Sequence, residues 1–189
     1  MGELNVATVT RRPEILLVDS QEVILQRLQQ LLSPLPYTLH FARDATQALQ
    51  LLASREVDLV ISAAHLPQMD GPTLLARIHQ QYPSTTRILL TGDPDLKLIA
   101  KAINEGEIYR YLSKPWDDQE LLLALRQALE HQHSERERLR LQDLAQQQNA
   151  ELKALNTLLE KRVAARTSEL QQTADMLDLA YEELKHSYA

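Results

Sequence analysis

The fold is decided by residues 58–71, which read DLVISAAHLPQMDG. The apolar run at 59–61 is typical of a β-strand that is buried on both faces. The Asp70-Gly71 pair further along predicts a turn. Beyond that turn, residues 74–82 carry apolar side chains at helical spacing. The stretch therefore predicts one strand, one loop and the start of one helix.

The same unit recurs along the first two thirds of the chain. Short apolar runs alternate with segments whose apolar residues recur at i, i+3, i+4 and i+7. The predicted strands are 15–18, 39–41, 59–61, 88–90 and 108–112. Five strands interleaved with helices predict an α/β fold with a five-stranded parallel sheet and helices on both faces. Functional residues are expected just beyond the carboxyl ends of the strands.

Composition excludes several classes of function. The net charge of −6 and the pI near 5.5 argue against a nucleic-acid-binding protein. The chain has no cysteine, which excludes disulfides and thiolate chemistry. No apolar run approaches the ~20 residues of a membrane span, and the amino terminus lacks a signal peptide. We expect a soluble, cytoplasmic protein that binds neither membranes nor nucleic acid.

Helix-breaking residues stop abruptly at Pro115. All four glycines and all eight prolines lie at or before it. Asp117, with Glu120 three residues later, predicts a capping box, and a helix from about Asp118 to the end would be roughly 100 Å long. We therefore divide the chain into a flexible amino-terminal arm at 1–12, a globular domain at 13–130 and a helix at 131–189 that continues the fifth helix.

The residues that follow the strands form a pattern. It consists of Asp19 and Ser20 after the first strand, Ala63 after the third, Thr91 after the fourth and Lys114-Pro115 after the fifth. Together with the phrases LPQMDG, LTG and YLSKP, this pattern resembles the receiver domain of bacterial response regulators. The resemblance covers roughly residues 13–130 and implies a flavodoxin-like (βα)5 domain.

The resemblance assigns a role to each of these positions. Thr91 and Lys114 match the hydroxyl and the lysine that bind the phosphoryl group, the Lys114–Pro115 bond is commonly cis in the family, and Tyr111 matches the aromatic residue of the switch. Asp19 matches the first of two acidic metal ligands. Ser20 replaces the second ligand, and Ala63 replaces the aspartate that is phosphorylated.

These two departures predict a degenerate phosphorylation pocket. Only one of three expected carboxylates remains for Mg²⁺, which prefers several hard oxygen ligands. We therefore expect no catalytic residue, no metal and no cofactor, and we expect Lys114 to neutralise Asp19. Three alternatives stay open: an atypical acceptor such as Ser20, an engineered knock-out at Ala63, and binding of an anion by Thr91 and Lys114. Ser20 argues against engineering, because one designed substitution does not require a second.

Apolar residues in the last part of the chain are spaced alternately by four and three, which is a heptad seam. The seam consists of Val163, Thr167, Leu170, Ala174, Leu177, Tyr181, Leu184 and Tyr188. A run of fours from Leu155 to Thr167 indicates a stutter. The stripe is narrow and long, which favours a parallel homodimer over a helix folded back on its own domain.

Residues 151–188 resemble the signalling coiled coils of bacterial sensors. The phrase NEGEIYRY at 104–111, with the ending YEELKHSY at 181–188, resembles response regulators whose coiled coil leads into an HD-GYP-type cyclic diguanylate phosphodiesterase domain. We therefore expect a non-enzymatic pseudo-receiver, the regulatory half of a longer protein. It would relay changes in a partner signalling protein or in dimer packing to an effector domain.

Overall fold

The computed structural model describes residues 11–92, 96–106 and 108–188. The predicted amino-terminal arm at 1–12 lies outside these residues, apart from Arg11 and Arg12. The strands are β1 Glu14–Val18, β2 Thr38–Ala42, β3 Leu59–Ala63, β4 Thr86–Thr91 and β5 Arg110–Ser113. The helices are α1 Glu22–Leu32, α2 Ala45–Ser54, α3 Gly71–Gln81, α4 Leu96–Gly106 and α5 Asp118–Ser187.

The five strands form one parallel sheet in the order β2-β1-β3-β4-β5. The predicted fold class is confirmed: a doubly wound α/β domain is followed by a long helix. The order reverses between β1 and β3, so the loops after these two strands leave the sheet on either side of a crevice. This topology places the predicted pocket residues at a single edge of the sheet.

Two apolar layers cover the sheet because its strands are apolar on both faces. On one face, Ile15 and Leu17 of β1 pack with α1 and the beginning of α5. On the other face, the alternate residues Leu16 and Val18 pack with α2, α3 and α4. Successive strand residues point to opposite faces, so the continuous apolar runs supply both layers at once.

Aspartates begin three of the helices by accepting a backbone N–H in the first turn. Asp44 accepts from Gln47 at 2.8 Å in α2, and Asp70 accepts from Thr73 at 2.7 Å in α3. Asp117 accepts from Glu120 at 2.9 Å in α5, as predicted. Each such cap typically stabilises a helix by about 1 kcal/mol.

Helical spacing predicts one apolar stripe in α1, consisting of Val23, Ile24, Leu28, Leu31 and Leu32, and another in α4, consisting of Leu96, Ile99, Ala100 and Ile103. The structure differs from both predictions. In α1 the buried residues are Leu25, Leu28 and Leu32, whereas Val23 is 73% exposed. Val23 precedes Leu28 by five residues, which places it about 140° around the helix from the buried face. In α4, Leu96 and Ile103 are exposed, and the buried residues among those whose side chains are described, 96–105, are Ile99 and Ala102. Helical spacing alone does not show which residues at the edges of an apolar stripe pack against the sheet and which stay exposed.

The chain divides into two compact units after Arg136, and α5 contributes to both. In the first unit, α5 buries Leu121, Ala124, Leu125, Ala128 and Gln132. In the second unit, every side chain from Glu137 to Tyr188 is exposed in the single chain. Within the described ranges 11–92, 96–106 and 108–188, none of the helices combines the length and hydropathy of a membrane span.

Candidate functional site

The carboxyl edge of the sheet brings Asp19 and Lys114 together. Lys114 Nζ lies 2.5 Å from Asp19 Oδ2, and the two side chains are 18% and 3% exposed. Asp19 follows β1 and Lys114 follows β5, so the contact joins loops that are far apart in the sequence. The predicted pairing of these residues is therefore present in the structure.

Both oxygens of the Asp19 carboxylate are engaged. Oδ1 accepts the backbone N–H of Gln21 at 2.9 Å, and Oδ2 accepts Lys114. The backbone N–H of Asp19 donates to the carbonyl of Ala42 at 3.1 Å, which fixes the loop against the end of β2. A buried carboxylate is stable only when it is paired and hydrogen-bonded, and Asp19 meets both conditions.

Ala63 is the last residue of β3 and is 3% exposed. The loop beyond it folds back closely: the Gly71 N–H donates to the Ala64 carbonyl at 2.8 Å, and a Cβ at Gly71 would lie 1.9 Å from the Ala63 oxygen. Glycine is required at position 71 because of this close approach. The methyl group of Ala63 is thus enclosed at the end of the strand.

The remaining predicted residues lie on the strands β4 and β5 or just beyond the ends of β1 and β5. Thr91 ends β4 with 6% exposure, and its carbonyl accepts the backbone N–H of Lys114 at 2.7 Å. The Lys114–Pro115 bond is cis, as predicted. Ser20 is exposed. Tyr111 lies on the edge strand β5 and is 47% exposed.

Ser62 is fully buried, and its hydroxyl donates to the Ala63 carbonyl at 3.0 Å. Because no part of this side chain reaches solvent, a phosphoryl donor has no access to it. Among residues 62–64, therefore, no nucleophilic oxygen is both present and exposed.

A second charged cluster joins α3 to α4. Lys101 Nζ lies 2.8 Å from Thr73 Oγ1 and 3.3 Å from Asp70 Oδ2. Partial burial acts to raise the pKa of Asp70, but hydrogen bonds from Thr73 and the Lys101 ammonium outweigh it and hold this pKa below its ordinary value. Asp70 is thus a charged helix cap in addition to a turn residue.

The residues at the edge of the sheet do not fit a magnesium site. Asp19 is the one acidic residue among the three positions that would supply carboxylates, and its two oxygens already accept from Gln21 and Lys114. A metal ion would have to displace the Lys114 ammonium from Asp19. It would then find a serine hydroxyl at position 20 and no ligand atom in the side chain of Ala63, where two carboxylates would otherwise bind it. Mg²⁺ loses its waters reluctantly and requires stronger oxygen ligands than these.

Sequence reasoning missed a second buried carboxylate at the opposite, amino-terminal edge of the sheet. Asp58 directly precedes β3, is 5% exposed and accepts from Arg11 and Arg136. The available signal was an acidic residue placed immediately before the apolar run at 59–61. Its partner Arg136 is 78 residues away, and local patterns do not indicate such a contact.

The parallel sheet with five helices, the pocket edge and the loop from Ala63 to Gly71 define a receiver-type α/β domain. The family description "Response regulator receiver domain" matches residues 15–126. The chain belongs to this family, and residues 15–126 are the receiver domain of a two-component response regulator. Receiver domains are signalling modules that interact with partner signalling proteins.

Several curated proteins are similar in sequence over this region. The C4-dicarboxylate transport transcriptional regulatory protein DctD of Rhizobium meliloti is 31% identical over 118 residues, which cover 62% of this chain and 25% of DctD. The putative response regulator NtrX-like of Rickettsia bellii is 31% identical over 130 residues, 68% of this chain and 27% of that protein. The chain thus spans about a quarter of the length of these two relatives.

Solved structures show the same fold. A CheY-like receiver domain protein from Methanospirillum hungatei has a TM-score of 0.63 and 28% identity, covering 66% of this chain and 98% of that one. NtrX from Brucella abortus in complex with ADP has a TM-score of 0.62 and 29% identity, over 67% of this chain and 29% of that one.

Proposed function

We propose that the chain is a pseudo-receiver: a non-enzymatic signalling and dimerisation module that acts without phosphorylation of an aspartate. The observation that carries the proposal is Ala63, a buried methyl group at the end of β3 where the family places its acceptor. Formation of an acyl phosphate requires a carboxylate oxygen that attacks phosphorus, and alanine has none.

The pairing of Asp19 with Lys114 supports the same conclusion. Lys114 would have to turn toward a phosphoryl group to neutralise it, but its ammonium is already held by Asp19 at 2.5 Å. The pocket is neutralised internally. Such a contact favours one fixed arrangement of the loops after β1 and β5 over two alternating arrangements.

In this proposal the long helix transmits the signal from the receiver domain to an effector domain. Its seam residues are exposed in the single chain: Val163 is 63%, Leu170 58%, Leu177 71% and Leu184 59% exposed. A second copy that packs in parallel would bury this stripe in the manner of knobs and holes. We propose the division 1–12, 13–130 and 131–189, with the stutter between Leu155 and Thr167 as an element that can change register.

The first test is chemical. The purified chain is incubated with acetyl phosphate and Mg²⁺ and its intact mass is measured. We expect no added phosphoryl group. A phosphorylated species would contradict the pseudo-receiver and would direct attention to Ser20, whose exposed hydroxyl is the one observation that favours an atypical acceptor.

The second test is of assembly. Light scattering is expected to give a dimer for the unaltered chain and a monomer for Leu170→Glu/Leu177→Glu, because charges in the seam destabilise its burial. The matched control is Met176→Glu/Leu179→Glu, which alters two equally exposed apolar residues outside the seam. A monomeric unaltered chain, or equal disruption by both pairs, would refute the parallel dimer.

The effector that we propose is a cyclic diguanylate phosphodiesterase domain, because residues 104–111 and 181–188 resemble response regulators whose coiled coil precedes such a domain. The protein encoded by the native gene is expected to hydrolyse cyclic diguanylate. Leu170→Glu/Leu177→Glu is expected to change that rate, and Met176→Glu/Leu179→Glu to leave it unchanged. Absence of hydrolysis in the unaltered protein would refute this effector and leave the pseudo-receiver proposal unaffected.

A further inference from the structure

Asp58 collects four hydrogen bonds at the amino-terminal edge of the sheet. Its Oδ2 accepts the backbone N–H of Glu14 at 2.8 Å and Arg11 at 3.2 Å. Its Oδ1 accepts Arg136 at 2.8 Å and Gln132 at 3.5 Å. The first pair of donors precedes or begins β1, and the second pair belongs to α5. One buried carboxylate therefore joins the beginning of the sheet to the helix.

The two donors on α5 are four residues apart and share one face of the helix. Gln132 is 7% exposed, and its amide also donates to the Ser84 carbonyl, just before β4, at 3.3 Å. Arg136 is partly exposed, with 35% of its side chain accessible. These contacts come after Ala128, the last apolar residue that α5 buries.

The backbone of Asp58 belongs to the same network. Its N–H donates to the Glu14 carbonyl at 2.8 Å, and its carbonyl accepts the N–H of Thr86 at 2.9 Å. Asp58 is thus fixed to β1 and β4 through its backbone while its side chain holds α5. A shift of these strands would change the position of the carboxylate that the helix contacts.

We propose that Asp58, Gln132 and Arg136 form a clamp through which the receiver unit acts on α5. The Asp58 clamp fixes the last turn of α5 in this unit, and it lies at the end of β3 opposite to Ala63. Asp58 is a positioning residue in this role. The proposal rests on the proposed function in one respect, namely that α5 carries the output.

The strength of the clamp follows from burial and charge. Hydrogen bonds between ionised groups are shorter and stronger than neutral ones. Removal of Arg136 takes away the charged contact that holds this turn of α5 and leaves Arg11 as the cation paired with the buried Asp58 carboxylate. The apolar contacts of Leu121, Ala124 and Leu125 hold the first turns of α5 independently of the clamp. Loss of Arg136 should therefore release the turns near residue 136 without unfolding the domain.

The test is amide hydrogen exchange on the full chain with Arg136→Gln. Amides from Gln132 onward in this part of α5 are expected to exchange about tenfold faster, the factor for loss of one charged hydrogen bond. Amides of β3 and β4 are expected to keep their rates. Arg140→Gln, at an exposed position four residues along the same helix, is the matched control and should leave these exchange rates unchanged. Unchanged exchange in Arg136→Gln, or equal loosening in both variants, would overturn the clamp.

A second measurement tests transmission. Coupling between two sites is reciprocal, so Leu170→Glu/Leu177→Glu should alter exchange of the Asp58 and Thr86 amides when the clamp is intact. The same seam change combined with Arg136→Gln should not. If these amides do not respond with the clamp intact, the clamp anchors the helix and transmits nothing. Light scattering on the same samples reports failure of the dimer separately.

Discussion

Lys114 and Asp19 form a buried ion pair across the carboxyl edge of the sheet, with Nζ and Oδ2 2.5 Å apart. The pair joins the loop after β5 to the loop after β1 in a domain whose third strand ends in alanine. In this receiver the lysine therefore stabilises the fold through the remaining acidic residue. The two opposite charges neutralise each other within the protein.

Removal of the Lys114 ammonium should lower the free energy of unfolding more than removal of the Asp19 charge. Lys114→Met leaves a carboxylate with 3% exposure unpaired, and we expect the free energy of unfolding to fall by about 3 kcal/mol. Asp19→Asn leaves a lysine that can turn to solvent, so its cost is expected near 1–2 kcal/mol. Urea unfolding of both variants measures the difference.

The double variant Asp19→Asn/Lys114→Met provides the control for that comparison. Its cost should lie well below the sum of the two single costs, because the second change removes a group that the first has already left without its partner. Additive costs would show that the pair contributes little as a pair.

Gly71→Ala should destabilise the loop after β3. The added Cβ would lie 1.9 Å from the Ala63 oxygen, and that atom belongs to the backbone, which cannot turn away as a side chain can. We expect a loss of about 1–3 kcal/mol, measured as a lower thermal midpoint. Gly92→Ala is the matched control: among the described residues, its Cβ would meet the Lys114 side chain, at an ordinary contact distance of 3.7 Å. Its free energy of unfolding should stay within a few tenths of a kcal/mol of that of the unaltered chain; equal losses in the two variants would contradict the steric explanation.

Restoration of both missing carboxylates should restore phosphoryl chemistry. With Ser20→Asp/Ala63→Asp, three acidic residues surround the site of a metal ion, and Mg²⁺ gains the oxygen ligands that it requires. We expect acetyl phosphate to add one phosphoryl group to this double variant in the presence of Mg²⁺. Ala63→Asp alone should react more slowly, since it lacks a metal ligand. An unreactive double variant would mean that the pocket has been lost for reasons other than these two residues.

The lowered pKa of Asp70 predicts that the free energy of unfolding depends on pH. Its folded pKa lies below the ordinary value, so the charged form stabilises the fold at pH values above the unfolded carboxyl pKa, near 3.9. That contribution is lost as pH falls through the lower, folded pKa. Since Asp70 is about one third exposed, we expect less than ~1 kcal/mol.

Urea midpoints measured from about pH 6 down to about pH 2.5 check this dependence. Asp70→Asn keeps a capping side chain but removes the charge, so its stability should fall less over that range. Asp44→Asn is the control, because Asp44 caps α2 through the Gln47 N–H and has no ion-pair partner among the described residues, whereas Asp70 contacts Lys101. If Asp70→Asn and the unaltered chain lose stability in parallel, the Lys101 contact does not contribute.

The arrangement of strands and helices could be predicted because it depends on local patterns. Apolar runs, turn residues and the cap at Asp117 are each encoded within a few neighbouring residues. The polar residues at the ends of strands could also be located, since a parallel sheet gathers its carboxyl ends at one edge. The pairing of Lys114 with Asp19 followed from charge once that edge was known.

The incorrect predictions concern the buried faces of two helices, because helical spacing does not show which edge of an apolar stripe packs against the sheet. Helical spacing marked Val23 as part of the buried stripe of α1, but the sheet covers Leu25 instead. Leu96 and Ile103 likewise stay exposed. A stripe shows that a helix is amphipathic, while the neighbouring elements decide which edge of the stripe they cover.

The sequence by itself determined the order of elements, the lack of an acceptor oxygen at Ala63 and the heptad spacing of the last helix, because these are properties of residue type and spacing. Only the tertiary structure decided that Asp58 holds Gln132 and Arg136, that Gly71 lies against Ala63, and that both oxygens of Asp19 are occupied. The physical reason is that these contacts join residues that are distant in the sequence and come together only when the chain folds. The spacing of neighbouring residues carries no information about such contacts.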